Sequence, residues 1–220
     1  QRNHKMKTQY KEYEFSRIEY SLKSNSSAFA VLLYLLGTPE GNKAEQDYTI
    51  PEWIMKSVKW QKRLFLASLF GAELSAPKTM TNHKFNLYGL VFSTNKTNPL
   101  HGITFINQIS AVLEEFGVKS VLLKYRTDEL NGKKSTRIRL MMHADSKNLI
   151  KFFSKINYEY NAKKRRLANA AILWLKQKEN ILQFREETMI QAREMKMQGF
   201  RKSKIISSLL SRYINKHFID

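Results

Sequence analysis

The chain has 220 residues, of which 42% are hydrophobic and 12% aromatic, enough to build a packed core. With 38 Lys and Arg against 19 Asp and Glu, its net charge is +19, which favours a polyanionic partner, nucleic acid before an anionic membrane surface. The absence of cysteine excludes disulfides, zinc–thiolate sites and a cysteine nucleophile, and the longest apolar run, Ala28 to Gly37, is too short to span a membrane. These features are typical of an intracellular, cytoplasmic protein.

The sequence contains a weak internal repeat. A shift of 120 positions places Arg17 on Arg137 and Lys43 on Lys163. Both copies read as an alternating strand, a break rich in Ser, Asn or Asp, an apolar helix and a loop that ends in lysine. Because the first copy contains only the last third of this pattern, we expect the sequence to be N-terminally incomplete.

The second copy predicts an α+β unit of order α-β-β-α-β-β-α. In chain order its elements are a helix over Ile54–Leu74, strands near Ser75–Met80 and Phe85–Ser93, a helix over Gly102–Phe116, strands over Val118–Arg126 and Ser135–Ala144, and a helix over Lys147–Ile156. Gly117 is typical of a left-handed helix stop, and Asn131-Gly132 marks a hairpin turn.

A helical extension follows. The pattern predicts a long helix over Lys164–Glu187 and then shorter helices around a turn at Gly199-Phe200, which resembles a helix-turn-helix. A helical hairpin that only caps the domain is the alternative. Basic residues on the outer faces favour contact with DNA: Arg201, Lys202, Lys204, Arg212 and Lys216. The predicted organisation is the end of a first repeat in residues 1–53, a second repeat in 54–165, a connecting helix in 166–195 and the helix-turn-helix-like segment in 196–220.

The stretch Leu66 to Leu74, LASLFGAEL, resembles the motif that names the LAGLIDADG homing endonucleases, with Glu73 at its acidic eighth position. With the repeat and the order of elements, the resemblance covers about residues 15–175 and is closest in style to archaeal intron- and intein-associated members. Ser68 stands where the family has glycine, and Gly71 where it often has an acid. The resemblance implies antiparallel saddle-shaped sheets and two motif helices, one per repeat, that pack together through small residues.

The resemblance also implies a metal site at Glu73. In the family the last acids of the two motif helices meet beneath the scissile phosphates, and two carboxylates so close require a divalent cation, Mg²⁺ or Mn²⁺. The metal would activate water and stabilise the leaving oxygen. A glutamate that is only solvated is the alternative. A basic residue near each centre acts on the water, for which the candidates are Lys43 and Lys163 from the repeat and Lys164 from the family's loop pattern.

Alternating strand residues predict the DNA-binding surface. Arg can read guanine and Asn adenine in the major groove, while other cations contact phosphate. The predicted contacts are Arg17, Ser21, Lys23, Lys84, Asn86, Tyr88, Lys124, Arg126, Arg137 and Arg139. Strand faces that are merely solvated are the alternative, which the net charge of +19 disfavours.

The predicted function is a site-specific, metal-dependent endonuclease that cuts both strands of double-stranded DNA, provided that a second acidic motif lies upstream. It would act as a monomer whose two internal repeats pair as the subunits of a dimer do, and it would not bind a membrane. The alternatives are a catalytically inactive DNA-binding regulator on the same scaffold and an RNA maturase. Protein splicing is not supported, because the chain has no cysteine and ends in KHFID, although an endonuclease domain excised from an intein remains open.

Overall fold

The computed structural model describes residues 2–7, 12–17, 23–41, 44–81, 86–130 and 133–219. In chain order its elements are β1 (Arg2–Lys7), β2 (Glu12–Arg17), α1 (Ser27–Leu35), α2 (Glu52–Met55), α3 (Lys59–Glu73), β3 (Val91–Lys96), α4 (Pro99–Glu115), β4 (Ser120–Leu130), β5 (Lys133–Met142), α5 (Ser146–Lys155), α6 (Ala162–Met197), α7 (Lys202–Leu209) and α8 (Lys216–Ile219). The described strands form two antiparallel sheets, a hairpin of β1 and β2 and a three-stranded sheet in the order β3–β5–β4. The fold therefore mixes helix and strand.

Local capping explains where the central helices begin and end. The side chain of Asn98 accepts a hydrogen bond from the first turn of α4, and Pro99 follows it at a position where a missing N–H costs nothing. Gly117, at φ 71°, ends α4 in the left-handed conformation. Asp145 caps α5 through its side chain. Both helices lie within one turn of the predicted bounds.

The two strands predicted between Ser75 and Ser93 are replaced by an isolated bridge and a later strand. Thr79 and Leu87 form the bridge, and β3 begins only after it. Pro77 lies in the first predicted strand and lacks the N–H that a strand ladder requires. The order α-β-β-α-β-β-α is therefore realised only in part by the described residues.

Two predicted helices have different bounds. The helix expected over Ile54–Leu74 is divided into α2 and α3, and between them the hydroxyl of Ser57 donates to a carbonyl of α2 at 2.7 Å. The helix expected over Lys164–Glu187 is α6, which is longer at both ends. Asn161 caps its start through its side chain, and Gly199, at φ 82°, follows its last turn.

The first predicted repeat is described only in pieces. β2 ends at Arg17, the first residue of the repeat alignment, and pairs with β1. α1 follows the Ser- and Asn-rich break, as the repeat pattern predicts, and its start is capped by Ser26. None of the residues in α1 is buried, and Tyr34 and Leu35 are 63% and 75% exposed. A complete pair of repeats, saddle-shaped sheets and a LAGLIDADG-type fold stay predictions.

The core lies between the helices and one face of the three-stranded sheet. Phe70 of α3 packs edge-to-face on Phe92 of β3 and Phe152 of α5, with ring centroids 6.2 and 5.7 Å apart. Ile138 and Leu140 of β5 close the core from the sheet side, at no more than 1% exposure. Within the described part of the chain, no helix has the length and hydrophobicity required to cross a membrane.

The small residues of α3 contact a loop of the same unit. The backbone N–H of Glu159 donates to the carbonyl of Ala67 at 2.8 Å, and a Cβ added at Gly71 would lie 1.9 Å from the carbonyl oxygen of Glu159. Gly71 is therefore required by the close approach of the 157–161 loop. Ala67 and Gly71 thus pack against this loop, and docking of a sister helix on the small residues of α3 stays a prediction.

We expect Gly71→Ala to lower the free energy of unfolding by about 2 kcal/mol or more, because the new methyl group meets backbone that cannot rotate away. Urea denaturation of both proteins measures the difference. Gly89→Ala is the matched control. Its Cβ would lie 3.0 Å from the carbonyl oxygen of Met142, so a smaller loss is expected. Equal losses for the two variants would contradict the assigned role of Gly71.

Candidate nucleic-acid interface

The exposed face of the β3–β5–β4 sheet carries the two central arginines. From Ser135 to Met142 of β5, buried residues alternate with half-exposed ones, as predicted for this strand. Ile138 and Leu140 face the helices, whereas Arg137 and Arg139 face outward. The structure therefore places both arginines on one surface, as the sequence predicts.

Strand register adds polar neighbours that sequence reasoning missed. In β3, Ser93 pairs with Arg139 and Asn95 pairs with Arg137, so their side chains share the outward face of the sheet. Both are exposed. The alternation of apolar and polar residues within Val91–Lys96 indicates this strand, but the sequence alone predicts an earlier strand, near Phe85–Ser93.

A β-bulge in β4 shifts the register of its pairing with β5, so residues after the bulge do not continue the alternation of those before it. Continuous alternation would place Arg126 on the same face as Ser120, but the register shifts between Leu123 and Arg126. Ser120 pairs with buried Met142 and its hydroxyl lies 2.9 Å from that of Ser110 in α4, whereas Arg126 pairs with Arg137. The side chains of residues 124 and 126 lie outside the described set.

The other predicted contacts are scattered. Ser21 and Lys84 lie outside the described residues, as do the side chains of Arg17 and Lys216. The predicted catalytic Lys43 also lies outside them. The exposed ones are Lys23, Tyr88, Arg201, Lys202, Lys204 and Arg212. The side-chain oxygen of Asn86 accepts a hydrogen bond of 2.5 Å from Lys178, so it is not free to read a base.

The C-terminal segment is a helical layer on α6. α7 has eight residues and α8 only four, and an isolated bridge between Ser211 and Ile214 separates them. Ile205 and Ile214 are buried. The guanidinium of Arg185 in α6 donates to the carbonyl of Tyr213 at 3.1 Å. Contact of this segment with DNA stays a prediction.

The C-terminal end of α3 is capped by a lysine. The ammonium group of Lys164 donates to the carbonyls of Gly71, Ala72 and Leu74 at 2.9, 3.3 and 2.6 Å. Asn161 adds a bond of 3.0 Å to Gly71. A cation at this place satisfies carbonyls that lack helical partners and opposes the negative end of the helix dipole. Burial lowers the pKa of Lys164, while the nearby Glu73 carboxylate acts in the opposite direction.

Glu73 itself is exposed at the end of α3. It lines a cavity of about 660 Å³ whose wall includes Tyr48 of the loop before α2 and Thr94 of β3. Burial raises the pKa of the Tyr48 hydroxyl, the hydrogen bond with Thr94 lowers it, and the charge of Glu73 raises it further. Among the described residues, no group of three or more His, Asp and Glu is placed to hold a metal ion. Binding of Mg²⁺ or Mn²⁺ at Glu73 therefore stays a prediction.

The predicted catalytic lysines have different environments. Lys163 is exposed on the first turn of α6, whereas Lys164 has its N–H groups directed at the end of α3. The described geometry supports a structural role for Lys164 and does not bring a reacting group to it. A catalytic role for either residue stays a prediction.

A buried lysine, which sequence reasoning missed, fixes the loop beside this cavity. Lys96 of β3 is 1% exposed, its ammonium donates to the carbonyl of Gln46 at 2.7 Å, and it lies 3.7 Å from the ring centroid of Tyr48. Burial lowers the pKa of Lys96, and the charge of Asp47 opposes that shift. The regular strand alternation of Val91–Lys96 was the signal that residue 96 points inward.

Comparison with known proteins shows that most of this chain is similar to a segment of several longer proteins. A tRNA-splicing ligase RtcB of Pyrococcus furiosus is 35% identical over 194 residues, which is 86% of this chain and 19% of the ligase. A DNA-directed RNA polymerase subunit Rpo1N of Methanocaldococcus jannaschii is 35% identical over 167 residues, 76% of this chain and 12% of that subunit. A replication factor C small subunit of the same organism is 34% identical over 138 residues, 62% of this chain and 7% of the relative. The chain thus spans a fifth or less of each of these proteins.

These relatives correct the identification made from the sequence. The ligase name recurs at 31–35% identity in several archaeal proteins, and none of these is named a homing endonuclease. No family model matches the chain, and no solved structure matches it. We therefore withdraw the recognition as a LAGLIDADG homing endonuclease and, with it, site-specific cleavage of double-stranded DNA, metal-dependent DNA hydrolysis and the intron or intein association.

We expect Lys164→Met to lower the free energy of unfolding by about 1–2 kcal/mol, because the carbonyls at the end of α3 lose a charged donor while the apolar stem is kept. Lys163→Met removes the same charge one residue earlier, at an exposed position, and should have little effect. Chemical denaturation of the two variants in parallel makes the comparison. A variant at 164 as stable as the one at 163 would show that the cap is energetically unimportant.

The buried hydroxyl of Tyr158 leads us to expect a lower free energy of unfolding at alkaline pH. Its hydroxyl donates to the carbonyl of Ser75 at 2.8 Å, and burial raises its pKa above the ordinary value of about 10. Because the unfolded chain ionises first, this contribution is complete below pH of about 10 and is lost as the pH rises towards the folded pKa. We expect the wild-type protein to lose more unfolding free energy between about pH 8 and 11 than Tyr158→Phe does. Parallel pH profiles would contradict this.

Proposed function

We propose that this chain is a nucleic-acid-binding module carried by longer proteins, and that it contacts the sugar–phosphate backbone through the outward face of the β3–β5–β4 sheet. The observation that carries the proposal is the placement of Arg137 and Arg139 beside Ser93 and Asn95 on that face, in a chain of net charge +19. Guanidinium groups bind phosphate in a bidentate manner, and hydroxyl and amide groups add neutral hydrogen bonds.

The spacing of the face suits a phosphate backbone. Arg137 and Arg139 are two residues apart on one strand, so their side chains start about 7 Å from each other. Successive base pairs of B-DNA rise about 3.4 Å along the helix axis, so two steps cover nearly the same axial distance. RNA and DNA share this backbone chemistry, and binding to it is independent of sequence.

The names of the relatives support a module with a role of its own. They concern tRNA splicing, DNA-directed RNA synthesis and replication, so nucleic acid is the theme that they share. A segment that accompanies three different named activities is better explained by a property common to all three hosts than by one of those activities.

RNA ligation is the second candidate, and the repeated ligase name favours it. The chain corresponds to only 17–20% of the length of five relatives with that name, so a complete ligase site within it would be unusually compact. Binding without ligation is therefore the function that we propose for this chain alone.

We expect the chain to bind a tRNA transcript and a short DNA duplex with affinities that fall steeply as salt rises. Arg137→Ala and Arg139→Ala should each reduce the slope of log Kd against log salt by about one, because each removes one phosphate contact. Fluorescence anisotropy over a salt series, with each labelled nucleic acid in turn, measures both the slope and the preference for RNA or DNA.

Lys151→Ala is the matched control, since it removes one exposed charge from α5 in the helical layer. It should leave the slope unchanged. An equal change of the slope in all three variants would show that binding depends on net charge and not on the sheet face. That result would overturn the proposed surface. Joining of the ends of cleaved tRNA by the isolated chain would instead establish ligation and overturn the proposal of a binding module.

A further inference from the structure

One row of residues across the outward face of the β3–β5–β4 sheet is apolar. Met141 of β5, at the middle of the row, pairs with Val91 of β3 on one side and with Val121 of β4 on the other. Cross-strand partners share a face, and the neighbouring side chains of Leu140 and Met142 are buried on the opposite one. Val121 is 41% exposed, and the other two residues of the row are half-buried. These three side chains therefore form an apolar strip that solvent can reach.

The apolar strip lies between two rows that each contain a cation. On one side, the next outward row consists of Ser93, Arg139 and Leu123 in register. On the other side, at the ends of β4 and β5, Lys119 and His143 are both exposed. The backbone N–H of His143 donates to the carbonyl of Lys119 at 3.1 Å, which continues the pairing of the two strands. The outward face thus presents a cation, an apolar strip and a second cation in order along the strands.

A buried amide fixes the backbone at the Lys119 end of this face. Asn148, which is 3% exposed, accepts a hydrogen bond from the N–H of Lys119 at 2.7 Å and donates to the carbonyls of Lys119 and His143 at 2.9 and 3.0 Å. Within the described part of the chain, neither Lys119 nor Arg139 forms an ion pair with a carboxylate. Both cations are therefore placed where they can bind an external anion.

This order of groups suits an unpaired nucleic-acid strand better than a duplex. A duplex presents phosphates and groove edges at its surface, and its base faces are stacked inside the helix. An unpaired strand exposes base faces between its phosphates, and those faces can pack on protein side chains. The sulfur of a methionine makes favourable contacts with aromatic rings, so Met141 is suited to contact a base.

We propose that the sheet face binds an unpaired nucleic-acid strand, with a base against the apolar strip and phosphates at Arg139 and Lys119. The inference rests on the proposed function, since it names the form of nucleic acid that the same face takes. A duplex would set charged phosphates against the apolar strip, and an apolar protein partner would leave the flanking cations without a counter-charge. RNA and DNA strands share the bases and the phosphates on which this contact depends.

Fluorescence anisotropy with short labelled strands of RNA and of DNA, and with the same sequences as duplexes, tests the proposal on the full chain. We expect the better-bound strand to bind about tenfold more tightly than its duplex at the same salt concentration, and that strand identifies the source. Met141→Gln should weaken strand binding about fivefold without changing the salt slope, because it removes a base contact and no phosphate contact. Lys119→Ala should instead lower the slope for the strand by about 0.7.

Leu35→Gln is the matched control, since it places the same side chain at an exposed apolar position of α1, and it should leave strand binding unchanged. Val121→Thr keeps a β-branched residue in β4, so it tests the apolar strip even where Met141→Gln fails to fold. Duplexes that bind as tightly as the strands, or normal strand binding by the folded strip variants, would overturn the inference. The proposed function would survive that result if Arg139→Ala still lowered the salt slope, and it would fail if Arg139→Ala had no effect.

Discussion

The close contact between α3 and the 157–161 loop is the constraint on which the central unit depends. The missing side chain of Gly71 allows the backbone of Glu159 to lie against the helix, and the hydrogen bond to Ala67 fixes the register. That docking brings the start of α6 to the end of α3, where Lys164 reaches the free carbonyls. A single absent methyl group thereby positions a 36-residue helix.

The same contact explains the acid at the end of α3. A carboxylate at a helix C-terminus is unfavourable by itself, but the ammonium of Lys164 lies at the same end and compensates both the dipole and Glu73. A partner carboxylate and a metal ion are therefore not required to account for this residue. The small side chains of the helix are likewise explained by a loop of the same chain.

Much of the fold follows from local signals in the sequence. Asn98, Asp145 and Gly117 mark helix ends through short-range hydrogen bonds and backbone conformation, so α4 and α5 could be predicted. The alternation of β5 likewise placed Arg137 and Arg139 correctly. The position of β3 and the bulge in β4 depend on pairing between distant residues, which periodicity within one strand does not contain. The partners of Lys164 lie about ninety residues away and were out of reach for the same reason.

The exposed helix α1 sets a limit on how concentrated this chain can become in water. Its apolar side chains include Leu35 at 75% exposure, and such surfaces adhere when two copies meet. The charge of +19 keeps copies apart, but that repulsion reaches only about 8 Å at physiological ionic strength and less in stronger salt. Added salt therefore weakens the charge repulsion between copies, while the apolar attraction between their α1 helices persists. The chain should thus associate least in buffer of low ionic strength.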